Sequence, residues 1–160
     1  MKKLFLLVCV VLVAVVMTSC SGKIVPTAFV SDQAGATILI AGDASEFKDA
    51  IRNRIITAYR PLATIRVVNM GDLNTADVGS VDAVVIMDSC LAWTGLNPSM
   101  KSFMALPENR KKTVLFMTAG DPDWTYSYQE VDAITSASDL GKEEQVFTRI
   151  AAELDRILNS

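Results

Sequence analysis

The sequence predicts an α/β domain: a doubly wound parallel sheet of about five strands, in the order 2-1-3-4-5, with helices on both faces. Three observations lead there. Short, unbroken aliphatic and β-branched runs recur along the chain (TILIAG, VDAVVIM, KTVLFMT), the pattern of strands buried on both faces. Stretches with helical spacing lie between them, and strand–helix alternation makes parallel crossover connections. At 160 residues the chain is long enough for one real core. In such a sheet, ligands bind at the carboxyl ends of the strands, beside the point where the chain reverses direction.

The first element is not part of the domain. MKK is a short basic region, LFLLVCVVLVAVVM is an apolar run, and TSC-SG places small residues around Cys20. Residues 1–19 therefore read as a secretory signal peptide. The Cys at the cleavage position resembles the lipobox of bacterial lipoproteins, which implies cleavage before Cys20 and lipid on its thiol. That resemblance implies an extracytoplasmic protein held in a membrane, at the periplasmic face or in the outer membrane. Residues 20–36 are small and mixed, and are expected to be a tether. The domain is expected over 37–160.

Within it, Thr37–Gly42 reads as the first strand. Asp43 and Glu46 have capping-box spacing, with Asp43 expected as the cap. Phe47, Ile51, Ile55 and Ala58 then recur at helical spacing until Pro61 stops the helix. ATIRVVNM is the second strand and GDLNTADVGS a loop or very short helix. VDAVVIM is the third strand. Pro98–Leu106 is a short helix with Pro in its first turn and Pro107 after it. KTVLFMT is the fourth strand and EVDAITSAS a fifth. Glu143–Leu158 carries one apolar face, from Val146 to Leu158, and is the clearest helix.

Composition excludes several function classes. Fifteen basic and 18 acidic residues give a formal charge of −3, and cleavage before Cys20 takes away two lysines and leaves about −5. A negative chain without a basic run is no nucleic-acid binder. There is no His, hence no Ser-His-Asp or Cys-His arrangement and no His-ligated zinc. Of three cysteines, Cys9 leaves with the signal and Cys20 takes lipid, so Cys90 has no intrachain partner. No catalytic residue and no metal site emerges from the sequence.

VDAVVIMDSCLAWTGLNPSMKSFMAL resembles the second flavin loop of flavodoxin-like proteins and their flavoreductase relatives, with Pro98, Met100, Lys101, Ser102 and Phe103 matching the stretch that opens the helix. KKTVLFMTAGD is similar to that family's fourth strand and third loop. The resemblance implies a flavodoxin-like fold that binds FMN for electron transfer. Carried over by position, it implies cofactor contacts from Ser45 in the first loop, from Ser89, Leu91, Ala92, Trp93, Thr94 and Gly95 in the second, and from Ala119, Gly120 and Trp124 in the third. The first loop, Gly42–Glu46, has one hydroxyl and two carboxylates where the family has a hydroxyl-rich phosphate cradle. Asp43 as cap would occupy the place of the phosphate, so the crevice is expected not to hold FMN by its phosphate.

Other readings stand beside this one. Asp132–Ser138 resembles a signature at which some extracytoplasmic proteins take FMN covalently, and the bland reading of the same residues is a fifth strand. Asp88 after strand three and Thr118-Ala119 after strand four resemble response-regulator receivers. That likeness supports the fold, but the second acid and the lysine that receivers use are missing. Trp124, Tyr126 and Tyr128 alternate along one face, either as a platform for a flat ring or packed on the domain's own edge. Cys90 reads as a small buried filler. The function expected is therefore a lipid-anchored domain that takes a small flat ligand. The alternative is a cofactor-free binding or scaffold module of the cell envelope. Neither names a protein partner.

Overall fold

The computed structural model describes residues 22–32, 35–90, 95–121 and 124–160. Cys20 and the expected signal peptide, and Leu91, Ala92, Trp93 and Thr94 of the second loop, lie outside the described residues. The strands are β1 (Thr27–Phe29), β2 (Ala36–Gly42), β3 (Ala63–Asn69), β4 (Ala83–Ser89), β5 (Thr113–Thr118), β6 (Ser127–Tyr128), β7 (Val131–Asp132) and β8 (Ile134–Ser136). The helices are α1 (Glu46–Tyr59), α2 (Pro98–Met104), α3 (Pro107–Lys111) and α4 (Glu143–Leu158), with single 3-10 turns at Met70–Asp72 and Leu140–Lys142.

The fold is α/β, built on a mostly parallel six-stranded sheet in the order β1-β3-β2-β4-β5-β8. This is not the five-strand order 2-1-3-4-5 expected for the sheet. An additional strand, β1, runs antiparallel to β3 on the outer edge. It comes from the segment expected to be a tether. Ile24 is buried there, and its N–H donates to Asn69 Oδ1 at 2.7 Å. Phe29 packs against the core. These two apolar side chains, the Asn69 contact and the pairing with β3 hold the segment on the sheet, and three strand residues are too few to show a period in sequence. The expected fifth strand is divided: β7 forms a hairpin with β6, and β8 joins β5. Gln129 and Glu130, at the hairpin turn, both have positive φ.

The pleat sends alternate residues to two cores. Ile38, Ile40, Val85, Met87, Val114 and Phe116 face α1 and α4. Leu39, Ala41, Val84, Ile86, Leu115 and Met117 face the 3-10 turn after β3 and α2. Strands buried on both sides can carry no polar alternation, which is why their runs are continuous. Tyr59 ties α1 to α4: its hydroxyl lies 2.7 Å from Asp155 Oδ1 and 3.1 Å from the Ala151 carbonyl oxygen. Arg54 pairs with Glu143 and Glu144 and lies over the Phe147 ring. Among the described residues, no helix is long and apolar enough to cross a membrane.

Candidate binding site at the carboxyl edge of the sheet

Strands β2, β4 and β5 are adjacent and parallel, so the segments after Gly42, Ser89 and Thr118 all leave from one edge. β2 and β4 approach closely there. A Cβ on Gly42 would lie 2.7 Å from the Met87 carbonyl oxygen, so only Gly fits. Two residues beyond Met87, Ser89 pairs with Thr118 and their hydroxyl oxygens are 2.9 Å apart. Both continue the odd and even rows, respectively, that face α1.

Lys48 reaches this pair from the first turn of α1. It is only 3 % exposed, and Nζ donates to Ser89 Oγ at 2.7 Å. Burial pushes its ammonium below the ordinary lysine range, against the opposing pull of Asp88, Asp43 and Asp49. Among the described residues no carboxylate comes within 4.0 Å of it, so this is a buried amine hydrogen-bonded to the Ser89 hydroxyl and not a formed ion pair. The sequence analysis does not single this residue out, yet its spacing is a signal: Lys48 stands three residues before Ile51 and seven before Ile55, on the apolar face of α1.

Asp88 lies on the opposite face of β4, with the row of Val84 and Ile86. It is 5 % exposed; Oδ1 accepts the Ser89 backbone N–H at 2.8 Å, and Oδ2 has no hydrogen-bond partner among the described residues. Burial pushes its carboxyl above the ordinary aspartate value, while the Ser89 N–H, Lys48 and the Asn97 N–H, which is near the carboxyl but does not meet hydrogen-bond geometry, pull it back. Aromatic rings gather on this face. Trp124 and Tyr126 stack on each other with centroids 5.0 Å apart and planes 20° apart. Both, with Tyr128, Cys90 and Leu96, pack partly buried against the second core. Burial raises the Tyr126 pKa, and Tyr128, Cys90 and Asp88 add to the rise. An acceptor without a donor thus sits beside a flat aromatic pair, an arrangement suited to a planar ligand that carries an N–H or O–H.

The first loop has a different character. Ser45, not Asp43, is the cap of α1: its hydroxyl accepts the Lys48 backbone N–H at 3.3 Å. The sequence Asp-Ala-Ser-Glu offers two caps, and the chain takes the one nearer the helix. Ser45 is therefore already committed, and Asp43, Glu46 and Asp49 surround the first turn. Their charges satisfy the helix dipole and oppose an anion there.

Of the residues expected at a cofactor, Ser89, Ala119, Gly120 and Trp124 follow or end adjacent strands at this edge. Ser45 is at the same edge but its hydroxyl is in use, and Gly95 is exposed with φ of 64°. Among the described residues, no group of three His, Cys, Asp or Glu is placed to hold a metal ion. A groove of about 830 Å³ lies elsewhere, along the amino half of β5. Its arginines are occupied: Arg156 pairs with Glu153, Arg149 donates to the Thr135 carbonyl, and Arg110 donates to the Met104 carbonyl. No family model, no curated protein and no solved structure matches this chain.

Proposed function

We propose that the chain is a lipid-anchored, extracytoplasmic domain of flavodoxin-like type that binds a small, flat, uncharged ligand at the carboxyl edge of its sheet. The observation that carries this reading is Asp88, a buried carboxyl with one oxygen unpartnered among the described residues, beside the Trp124–Tyr126 stack. Leaving a buried polar group unsatisfied costs about 1–3 kcal/mol, and a ligand donor at Oδ2 would remove that cost. The flavodoxin-like part of the reading draws support from the parallel strands taken without β1. Those strands run β3-β2-β4-β5-β8, with β2 and β4 side by side at the centre, and that adjacency is what supports the doubly wound reading.

The acidic first loop argues against a phosphate, so the ligand is uncharged over that loop. A flavin ring has the flatness and an imide N–H, and electron transfer is the activity the resemblance attaches to it. The second reading, a cofactor-free scaffold, is favoured by one observation: Trp124 and Tyr126 already stack on each other, which satisfies both rings. The test is to extract the protein from membranes in mild detergent, denature it, and identify released small molecules by mass spectrometry. A stoichiometric planar heteroaromatic supports the binding reading, with visible flavin absorbance if it is a flavin. An empty protein that also fails to bind riboflavin supports the scaffold.

A further inference from the structure

We infer that the carboxyl edge of the sheet, with the Asp88 and Lys48 sites on it, is the surface this protein turns toward the lipid bilayer. The inference rests on the reading of Cys20 as the lipid attachment point.

The geometry lies in the first described residues. The Gly22 carbonyl accepts the Ala44 N–H at 3.1 Å, and the two residues form an isolated antiparallel bridge. Ala44 follows β2 immediately beyond its carboxyl end. Ile24 is buried, and its N–H is bound to Asn69, the last residue of β3. These contacts fix Gly22 to Ile24 across the carboxyl ends of β2 and β3. From there β1 runs antiparallel to β3, away from that edge. Among the described residues the chain therefore comes onto the domain at its carboxyl edge.

Two residue steps separate Gly22 from Cys20. At ~3.5 Å per residue, even a fully extended chain spans only ~7 Å. A lipid on the Cys20 thiol would thus hold the carboxyl edge within about 10 Å of the headgroups. The amino edge is farther by one strand length, ~20 Å for seven residues of β2. A leash this short leaves the domain no turn that exchanges the two edges. Exposed Val25 flanks the attachment. Exposed Glu46, Asp72, Asp121 and Asp139 outnumber the exposed Lys23 at or near the same edge, so the lipid surface that fits it is zwitterionic and not anionic. A ligand for the Asp88 site must then enter between domain and bilayer.

The test uses the full-length lipidated protein in phosphatidylcholine vesicles containing a nitroxide-labelled lipid. A Cys90→Ala background receives one fluorophore at Gly71→Cys or Gly120→Cys on the carboxyl edge, or at Gly35→Cys or Leu62→Cys on the amino edge. A new Cβ at any of the three glycines meets nothing within 4 Å, and Leu62 is 66 % exposed. Circular dichroism checks each fold. The expected result is quenching several times stronger at positions 71 and 120 than at 35 and 62. Equal quenching, or the reverse order, on protein that floats with the vesicles overturns the orientation alone. Protein that does not float, and whose Cys20 peptide carries no lipid by mass spectrometry, overturns the anchor and the orientation together.

Discussion

Replacing Lys48 by Met should make this protein more stable at neutral pH. Lys48 is almost wholly buried and holds one hydrogen bond, to Ser89, with no carboxylate in ion-pair range among the described residues. Met has nearly the same length and removes the buried charge. Ser89 loses a donor but keeps the Thr118 hydroxyl. Exchanging buried charges for packed apolar groups is neutral to stabilising, by about 1–4 kcal/mol. The sign follows also from linkage. The folded pKa of Lys48 lies below its ordinary 10.5. The folded state therefore disfavours the charged form, and the wild type gains stability as pH rises from the folded value toward 10.5. Lys48→Met cannot titrate, so its advantage should be largest near pH 7 and narrow by about pH 10. Urea unfolding followed by circular dichroism reads this directly. A gain of about 2 kcal/mol moves the midpoint by roughly 1 M if the slope is ~2 kcal/mol per M. A lowered midpoint at pH 7 would refute the reasoning. It would mean that Asp43, Asp49 and Asp88 together hold the ammonium well enough to outweigh its desolvation.

Three other substitutions probe separate parts of the account. Asp88→Asn keeps the acceptor for the Ser89 N–H and removes a carboxyl whose folded pKa is raised. Such a group stabilises most below its unfolded pKa and loses that contribution as pH rises, so the ligand-free variant should gain about 1–3 kcal/mol at pH 7 and nothing near pH 3, read by thermal melts. Tyr59→Phe removes the hydroxyl that joins α1 to α4 at Asp155 and Ala151, and should cost about 1–3 kcal/mol in denaturant unfolding. Glu130→Gly relieves a left-handed backbone (φ of 68°) in the β6–β7 turn, and should raise stability by about 1 kcal/mol in the same assay.

Burial on both faces made β2, β4 and β5 legible in sequence, because such strands admit no polar residue until they end. The last helix was legible for a related reason: Val146, Ile150, Leu154 and Ile157 all lie on one stripe, and all are buried. What escaped was short or locally ambiguous. β1 has three residues and β6 and β7 two each, below the length at which periodicity has meaning. The cap of α1 was misplaced by two residues, since Asp43 and Ser45 are both good caps and the choice depends on where β2 releases the chain. Lys48 escapes a sequence reading because a charge on an apolar stripe reads as a solvated residue until tertiary structure closes over it. Asp88 was noticed as an acid at a strand end, but its unpartnered oxygen is a property of packing and has no sequence signal.

The central claim, an uncharged flat ligand held at the carboxyl edge without a phosphate site, is tested most directly by titrating the protein with riboflavin and with FMN and following flavin fluorescence. The two ligands share one ring and differ in the phosphate. Carboxylates of Asp43 and Glu46 near the first loop would together repel that phosphate by roughly 1–2 kcal/mol through water-like dielectric, while Asp49 is already paired with Arg52. Riboflavin is expected to bind about tenfold more tightly than FMN, the difference corresponding to about 1.4 kcal/mol, and Asp88→Asn is expected to weaken it. FMN binding more tightly than riboflavin would contradict the account, because the first loop would then be a phosphate cradle after all.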